Sequence, residues 1–498
     1  MIVGVSSRFQ RPEDDSGFSL ACLLFFERSK SITVDRTAIK ETMAERVMKP
    51  SRWFSRLLSP QRRVAILKGL GLPVIEGSQH NRMMFSGIKI HWTCLLFGSA
   101  ATALGAGPDW PQFMGPHRNG STQFQAIQND WRNHPPQKLW SLEMGSGFSG
   151  PVIKNNHVFL YHRLGRNLHL DCITLDTGKQ VWQSTHATQY RDRFGFDDGP
   201  RATPAIDGDR IFLMDANGWM RAFHRSDGHL LWEVNPEKHG QVDQGFFGKA
   251  PSPLVYGDTV IYIIGGSPEA GIVALDVNNG SLIWKTLSEK ADYASPVLQH
   301  TNGQWWIWAW MRDQVHHIHA ATGKVHQSIR WRSSMNAAVN AATPLVLPEG
   351  VFVSASYGTG ALLISQRDGN WSPLWSGDQQ MSNHYAHCVY HQGYLYGFHG
   401  RQEQSPELRC IEVKSGKVAW SQANLGAGSL ILADDRLLLM MESGEWIMAD
   451  ATPDRWSELG RRQILPSGVR ASPALAHGIW VAKSPDRLVA YQLGHPLP

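Results

Sequence analysis

The sequence predicts an all-β chain: an eight-bladed β-propeller of four-stranded antiparallel blades, closed by its own N-terminal strand. Three observations predict it. Residues 410–420, Cys-Ile-Glu-Val-Lys-Ser-Gly-Lys-Val-Ala-Trp, repeat residues 172–182, Cys-Ile-Thr-Leu-Asp-Thr-Gly-Lys-Gln-Val-Trp, in altered form. The turn glycines Gly178, Gly228, Gly280, Gly323, Gly369 and Gly416 are 50, 52, 43, 46 and 47 residues apart, about the chain needed for one blade. Finally, one closing strand stands at the front of the chain without an opening strand of its own.

Each unit opens on a small residue followed by Pro, as at Gly150-Pro151, Thr203-Pro204, Ser252-Pro253, Ser295-Pro296, Thr343-Pro344 and Ser472-Pro473. Pro is tolerated in a first strand where no ladder partner needs its missing N–H. Alternating runs follow, such as Arg210–Met214 and Thr259–Ile263, introduced by turn signals at Asp207-Gly208 and Tyr256-Gly257. Period two with turns every eight to twelve residues reads as short antiparallel strands. Units one, two, three and six end in a strand carrying Trp four residues after the turn Gly; Trp375 closes unit five six residues after Gly369, Gln327 breaks the pattern in unit four, and Trp456 is read as closing unit seven. Eight openings (Pro151, Pro204, Pro253, Pro296, Pro344, Cys388, Leu430, Pro473) meet only seven closings behind them. Residues 138–142, Lys-Leu-Trp-Ser-Leu, are therefore expected to complete the eighth blade and leave the ring without a free edge.

These repeats resemble the pyrroloquinoline-quinone-like (PQQ-like) β-propeller family over residues 109–493, and Asp109–Pro116 and Gly199–Pro204 are similar to stretches of a secreted bacterial subgroup. The resemblance implies a fold shared with quinoprotein alcohol dehydrogenases and with the propeller lipoprotein of the outer-membrane β-barrel assembly machine. It does not by itself imply an activity.

The chain carries a formal charge of +5, but residues 1–83 alone hold 14 Lys and Arg against 8 Asp and Glu, which leaves about −1 for the remainder. A propeller without a basic excess gives no support to a nucleic-acid partner. Residues 92–106 form an apolar run after Lys89 and His91, with small residues at Ala101-Thr102-Ala103 and Leu104-Gly105-Ala106. The expectation is a non-native or disordered extension over 1–83, a signal peptide over 84–106 and the propeller over 107–498. That places the mature chain in the periplasm or outside the cell as a monomer, with no membrane span. Behind the expected cleavage the cysteines are Cys172, Cys388 and Cys410; an odd number leaves a thiol unpaired, and all three read as structural.

No nucleophile elbow, Walker loop or kinase set occurs in register. The dehydrogenases that the chain resembles hold PQQ with Ca²⁺ and cover the quinone with a disulfide between adjacent cysteines; here no two cysteines are adjacent. No catalytic residue or metal ligand is assigned, and PQQ with Ca²⁺ is an alternative without motif support. His316, His317 and His319 on the third strand of unit four read as a strand face rather than a metal site. Register locates a site more sharply. The residue three before each opening position belongs at the channel mouth, and around the ring these are Phe148, Arg201, Ala250, Tyr293, Ala341, Tyr385, Ala427 and Arg470. With Lys249, His384 and His387 beside them, the expected mouth site is Phe148, Arg201, Lys249, Tyr293, His384, Tyr385, His387 and Arg470, under loops 235–247 and 330–338. Arginine forks suit carboxylates and phosphates, and flat rings suit aromatic groups. The expected function is a binding or assembly scaffold, its partner a protein or a small anionic or aromatic ligand. The alternatives are a PQQ-dependent oxidoreductase and a carbohydrate-binding propeller, and the loop around His399 and Arg401 is the next surface to consider.

Overall fold

The computed structural model describes residues 108–123, 131, 133–367 and 369–493. The expected extension over 1–83 and signal peptide over 84–106 lie outside the described residues. Eight four-stranded antiparallel sheets follow one another around an axis. Blades one to seven run in chain order: residues 152–187, 205–234, 254–286, 297–330, 345–377, 389–422 and 428–463. Blade eight takes its three inner strands from residues 474–492 and its outermost strand, Gln137–Glu143, from the front of the chain, paired antiparallel with Arg487–Gln492. The ring is closed by strand exchange, as the mismatch of openings and closings required.

The core lies between blades. One cluster joins Phe212 and Met214 of blade two to Val260 and Tyr262 of blade three, and similar clusters recur around the ring. The inner strands are buried on both faces, whereas the outermost strands alternate, as in Gln180–Ala187.

Two repeating devices tie blade to blade. At the rim, Trp140, Trp182, Trp232, Trp284 and Trp375 each lie over the turn glycine of the next blade (Gly178, Gly228, Gly280, Gly323, Gly416), where any Cβ would meet the indole within 3.0 Å. Their Nε1–H groups donate to carbonyls of that blade: Leu175, Arg225, Val277, Ala320 and Val413. Trp420 does the same to Thr452. Gln327 substitutes differently, clamping the backbone N–H and C=O of Trp371 with its side-chain amide. Trp456 is not in the closing strand of blade seven. That strand is Glu458–Gln463, its docking position is Gly460, and Trp131 packs over the glycine instead. All eight outer strands carry a β-bulge immediately before this docking position, where a bulge bends the strand and increases its twist.

Near the axis, the small residue before each opening Pro has a second use. Gly150 N–H donates to Thr203 Oγ1, Thr203 to Ser252 Oγ, Ser252 to Ser295 Oγ, Ser295 to Thr343 Oγ1 and Thr343 to His387 Nδ1, each at 2.9–3.0 Å. A hydroxyl or imidazole of one blade thus satisfies the first N–H of the blade before it.

Candidate functional site: the axial cavity

One end of the channel is closed by the segment ahead of the first blade. Asp109 is fixed by the N–H of Asn155, by Lys154 and by His477. Trp110 bridges to Ile153, Pro111 accepts from Ile206 N–H, and Ser121–Thr122 adds a parallel strand inside blade seven. Between them Arg118, 3% exposed and at φ +52°, donates to the carbonyls of Pro296 and Pro253 at the start of blades four and three and to Gln112. Burial lowers its pKa to about 9.

At the other end, the connections between blades and the hairpin loops of blades five and six leave a cavity of about 340 Å³. Phe113 from the plug reaches it and meets His387 edge-on at 5.0 Å. Of the residues that register placed at the mouth, Phe148, Arg201, Tyr293, His384, Tyr385, His387 and Arg470 line this cavity, with Ala250 and Ala341; Ala427 does not. Lys249 corrects the expectation. It is 3% exposed and points away, its ammonium against the Asp243 carbonyl, because its chain belongs to the tie between loop 235–247 and Ala216.

The two arginines are already engaged. Arg201 donates to Asp192 at 3.1 Å and to the carbonyls of Gly199 and Asp197, while its guanidinium lies 5.5 Å from the Phe148 ring centre. Asp192 in turn accepts the N–H groups of Phe194, Phe196 and Asp197, so this pair holds the loop over the mouth. Arg470 donates to Glu442 at 2.5 Å, sharing that carboxylate with the Tyr385 hydroxyl at 2.6 Å, and lies 5.8 Å from Phe148. Burial opposes its charge, yet Glu442 and Tyr385 hold its pKa above the ordinary value.

His384 accepts from the Tyr357 hydroxyl at Nε2 (2.8 Å) and donates from Nδ1 to Gln402 at 2.5 Å. His387 accepts from Thr343 N–H at Nδ1, which places its proton on Nε2. Burial brings both imidazoles down to about 4, so they are neutral at pH 7. Tyr293 holds loop 235–247 by accepting from the N–H groups of Phe246 and Phe247.

Sequence register missed Phe113, Phe196, Phe247, Met335, Tyr357 and Arg401–Glu403, which also line the cavity. Loops 235–247 and 330–338 were expected over the mouth, but no spacing rule says which of their residues point inward. The result is an apolar, ring-walled cavity with charges at its margin, neutralised in pairs by Asp192, Glu442 and, for Arg401, Glu403 at 3.6 Å.

The family model described as outer membrane protein assembly factor BamB matches residues 129–304 and 268–402, more than half of the chain. The chain belongs to this PQQ-like propeller family. Among curated proteins, the PQQ-like chain is 28% identical over 159 residues to outer membrane protein assembly factor BamB of Moranella endobia, covering 30% of this chain and 37% of that protein. It is 29% identical over 99 residues to the Escherichia coli protein of the same name, covering 19% and 24%. It thus spans little more than a third, or less, of the relatives it matches. Among solved structures, BamB from Moraxella catarrhalis superposes with a TM-score of 0.54 at 13% identity, covering 72% of this chain and 98% of that one. Quinohemoprotein alcohol dehydrogenase from Comamonas testosteroni superposes at 0.60 and 12%, covering 78% and 81%. At such identities these superpositions establish the PQQ-like propeller fold and nothing further. No helix among the described residues is long and apolar enough to cross a membrane.

Proposed function

We propose that this protein is a binding scaffold of the periplasm or the cell exterior, whose working face is the open mouth of the channel. The axial cavity takes an aromatic or anionic group of a protein partner or of a small ligand. The observation that carries this reading is the asymmetry of the channel: one end is filled by Arg118 and its neighbours, while the other opens on Phe148, Phe196, Phe247, Tyr293 and Tyr385. Aromatic anchors buried in such pockets dominate the energy of many interfaces. The relatives named as assembly factors support a protein partner.

The donor set argues against the dehydrogenase alternative. Ca²⁺ takes six to eight oxygen ligands, but Glu403 is the one carboxylate among the residues lining the cavity, and neighbouring Glu442 is bonded to Arg470 and Tyr385. Cys172, Cys388 and Cys410 are buried free thiols with no adjacent partner. These residues do not fit a quinone clamped over Ca²⁺, and no redox step is assigned.

The test is site-specific photocrosslinking from Met335 and Gln402 at the mouth, with Lys179 on a rim turn as control. Adducts with one defined protein at the mouth positions only are expected. Equal labelling at Lys179, or dye-linked alcohol oxidation after addition of PQQ and Ca²⁺, would overturn the reading.

A further inference from the structure

Beside the axial cavity lies a second one of about 340 Å³, between the upper loops of blades five and six. Met335, Tyr357 and Arg401 line both and form the partition. The two differ in character. The second is walled by hydroxyls, amides, a carboxylate and an imidazole: Ser356, Ser382, Gln379, Gln404, Asp378 and His399.

This pocket also gathers unsatisfied groups. Asp378 Oδ1 and His399 Nδ1, both in its wall, are buried without a hydrogen-bond partner. A buried polar atom left unpaired costs about 1–3 kcal/mol, and folded proteins keep such atoms few. Two in the wall of one concavity, a carboxylate oxygen and an imidazole nitrogen, call for a ligand that both donates and accepts. Burial holds His399 below the ordinary imidazole value, Arg409 adding to the shift and Asp378 opposing it, so the ring is neutral at pH 7. The Arg401 guanidinium is stacked on Tyr357 at 4.6 Å and faces Glu403. An anion would therefore find a carboxylate and no uncommitted cation, whereas vicinal hydroxyls could donate to Asp378 and accept from His399 and the amides.

We propose that this pocket binds a polyhydroxylated ligand, a single pyranose unit of a saccharide, through Asp378, His399, Gln379 and Gln404. The polar groups that carry it, Asp378, His399, Gln379 and Gln404, do not line the axial cavity, so this reading does not rest on that one. Its volume lies at the lower end of the range for small-molecule pockets.

The experiment is saturation-transfer NMR on the full chain with methyl glucoside, methyl galactoside, methyl mannoside and N-acetylglucosamine, followed by calorimetry on whichever binds. At least one should bind, and Asp378→Asn, which keeps the shape but removes an acceptor, should weaken it about tenfold or more. His399→Phe provides a second variant should the first fold poorly, and Phe148→Ala in the axial cavity should leave affinity unchanged. Saturation transfer to none of the four sugars at about 10 mM would overturn the proposal. So would unchanged affinity in both folded variants, or a soaked crystal in which water alone satisfies Asp378 and His399.

Discussion

Burial, more than charge, sets the protonation of several enclosed histidines. His317, enclosed by Trp306 and Trp308 at 4.4 Å each, is brought down to about 4, as are His384 and His387. In the unfolded chain a histidine titrates near 6.5. The unfolded state therefore binds these protons first, so the stability they confer is present above pH ~6.5 and is lost as the pH falls toward 4. Melting temperature should drop across that window, and His317→Phe should flatten the drop; an unchanged slope would contradict it. Arg201 follows the opposite logic. Its side chain is 6% exposed and Asp192 is fully buried, so Arg201→Ala should cost roughly 3–5 kcal/mol by leaving that carboxylate unpaired, measured by denaturant unfolding. The mouth arginines are paired ties between loops rather than removable surface charges.

Among elements, the bulged outer strand is the unit that makes a blade cohere with the next. Burying an indole removes about 150–250 Å² from water, and Trp232 also donates to Val277. Trp232→Ala should cost roughly 3–5 kcal/mol. Gln327→Ala should cost less, about 1–3 kcal/mol, because it removes hydrogen bonds to Trp371 and not a docked ring; nothing lies within 4 Å of a Cβ at Gly369. A larger loss at Gln327 than at Trp232 would show that the amide clamp, and not the indole, carries the inter-blade energy. The repeating Trp and Gly were legible in the sequence as a period. The exchange of Trp456 for Gly460 and Trp131 was not, since spacing cannot show that a residue over three hundred positions away fills the place.

For the whole molecule, closure and plugging are separate tasks of one N-terminal stretch. Deleting residues before 144 should expose the edge of Arg487–Gln492 and produce aggregation, seen by light scattering. Deleting only residues before 123 keeps Gln137–Glu143 in place but removes Arg118 and Phe113, so the ring should stay monomeric with a channel open at both ends. Aggregation of the shorter deletion, or a monomeric longer one with unchanged melting temperature, would refute this division.

The sequence by itself determined the eight blades, their order and the strand exchange that closes them, because each follows from periodicity and from counting openings against closings. It also placed seven of eight named mouth residues on one cavity, since repeated blades put equal registers at equal heights. Only the tertiary structure decided that Lys249 turns away, that Arg201 and Arg470 are already paired, and that the segment at Asp109–Gly120 fills the far end of the channel. Those outcomes depend on which loop reaches which neighbour across the axis, and such contacts leave no trace in the local alternation of apolar and polar residues.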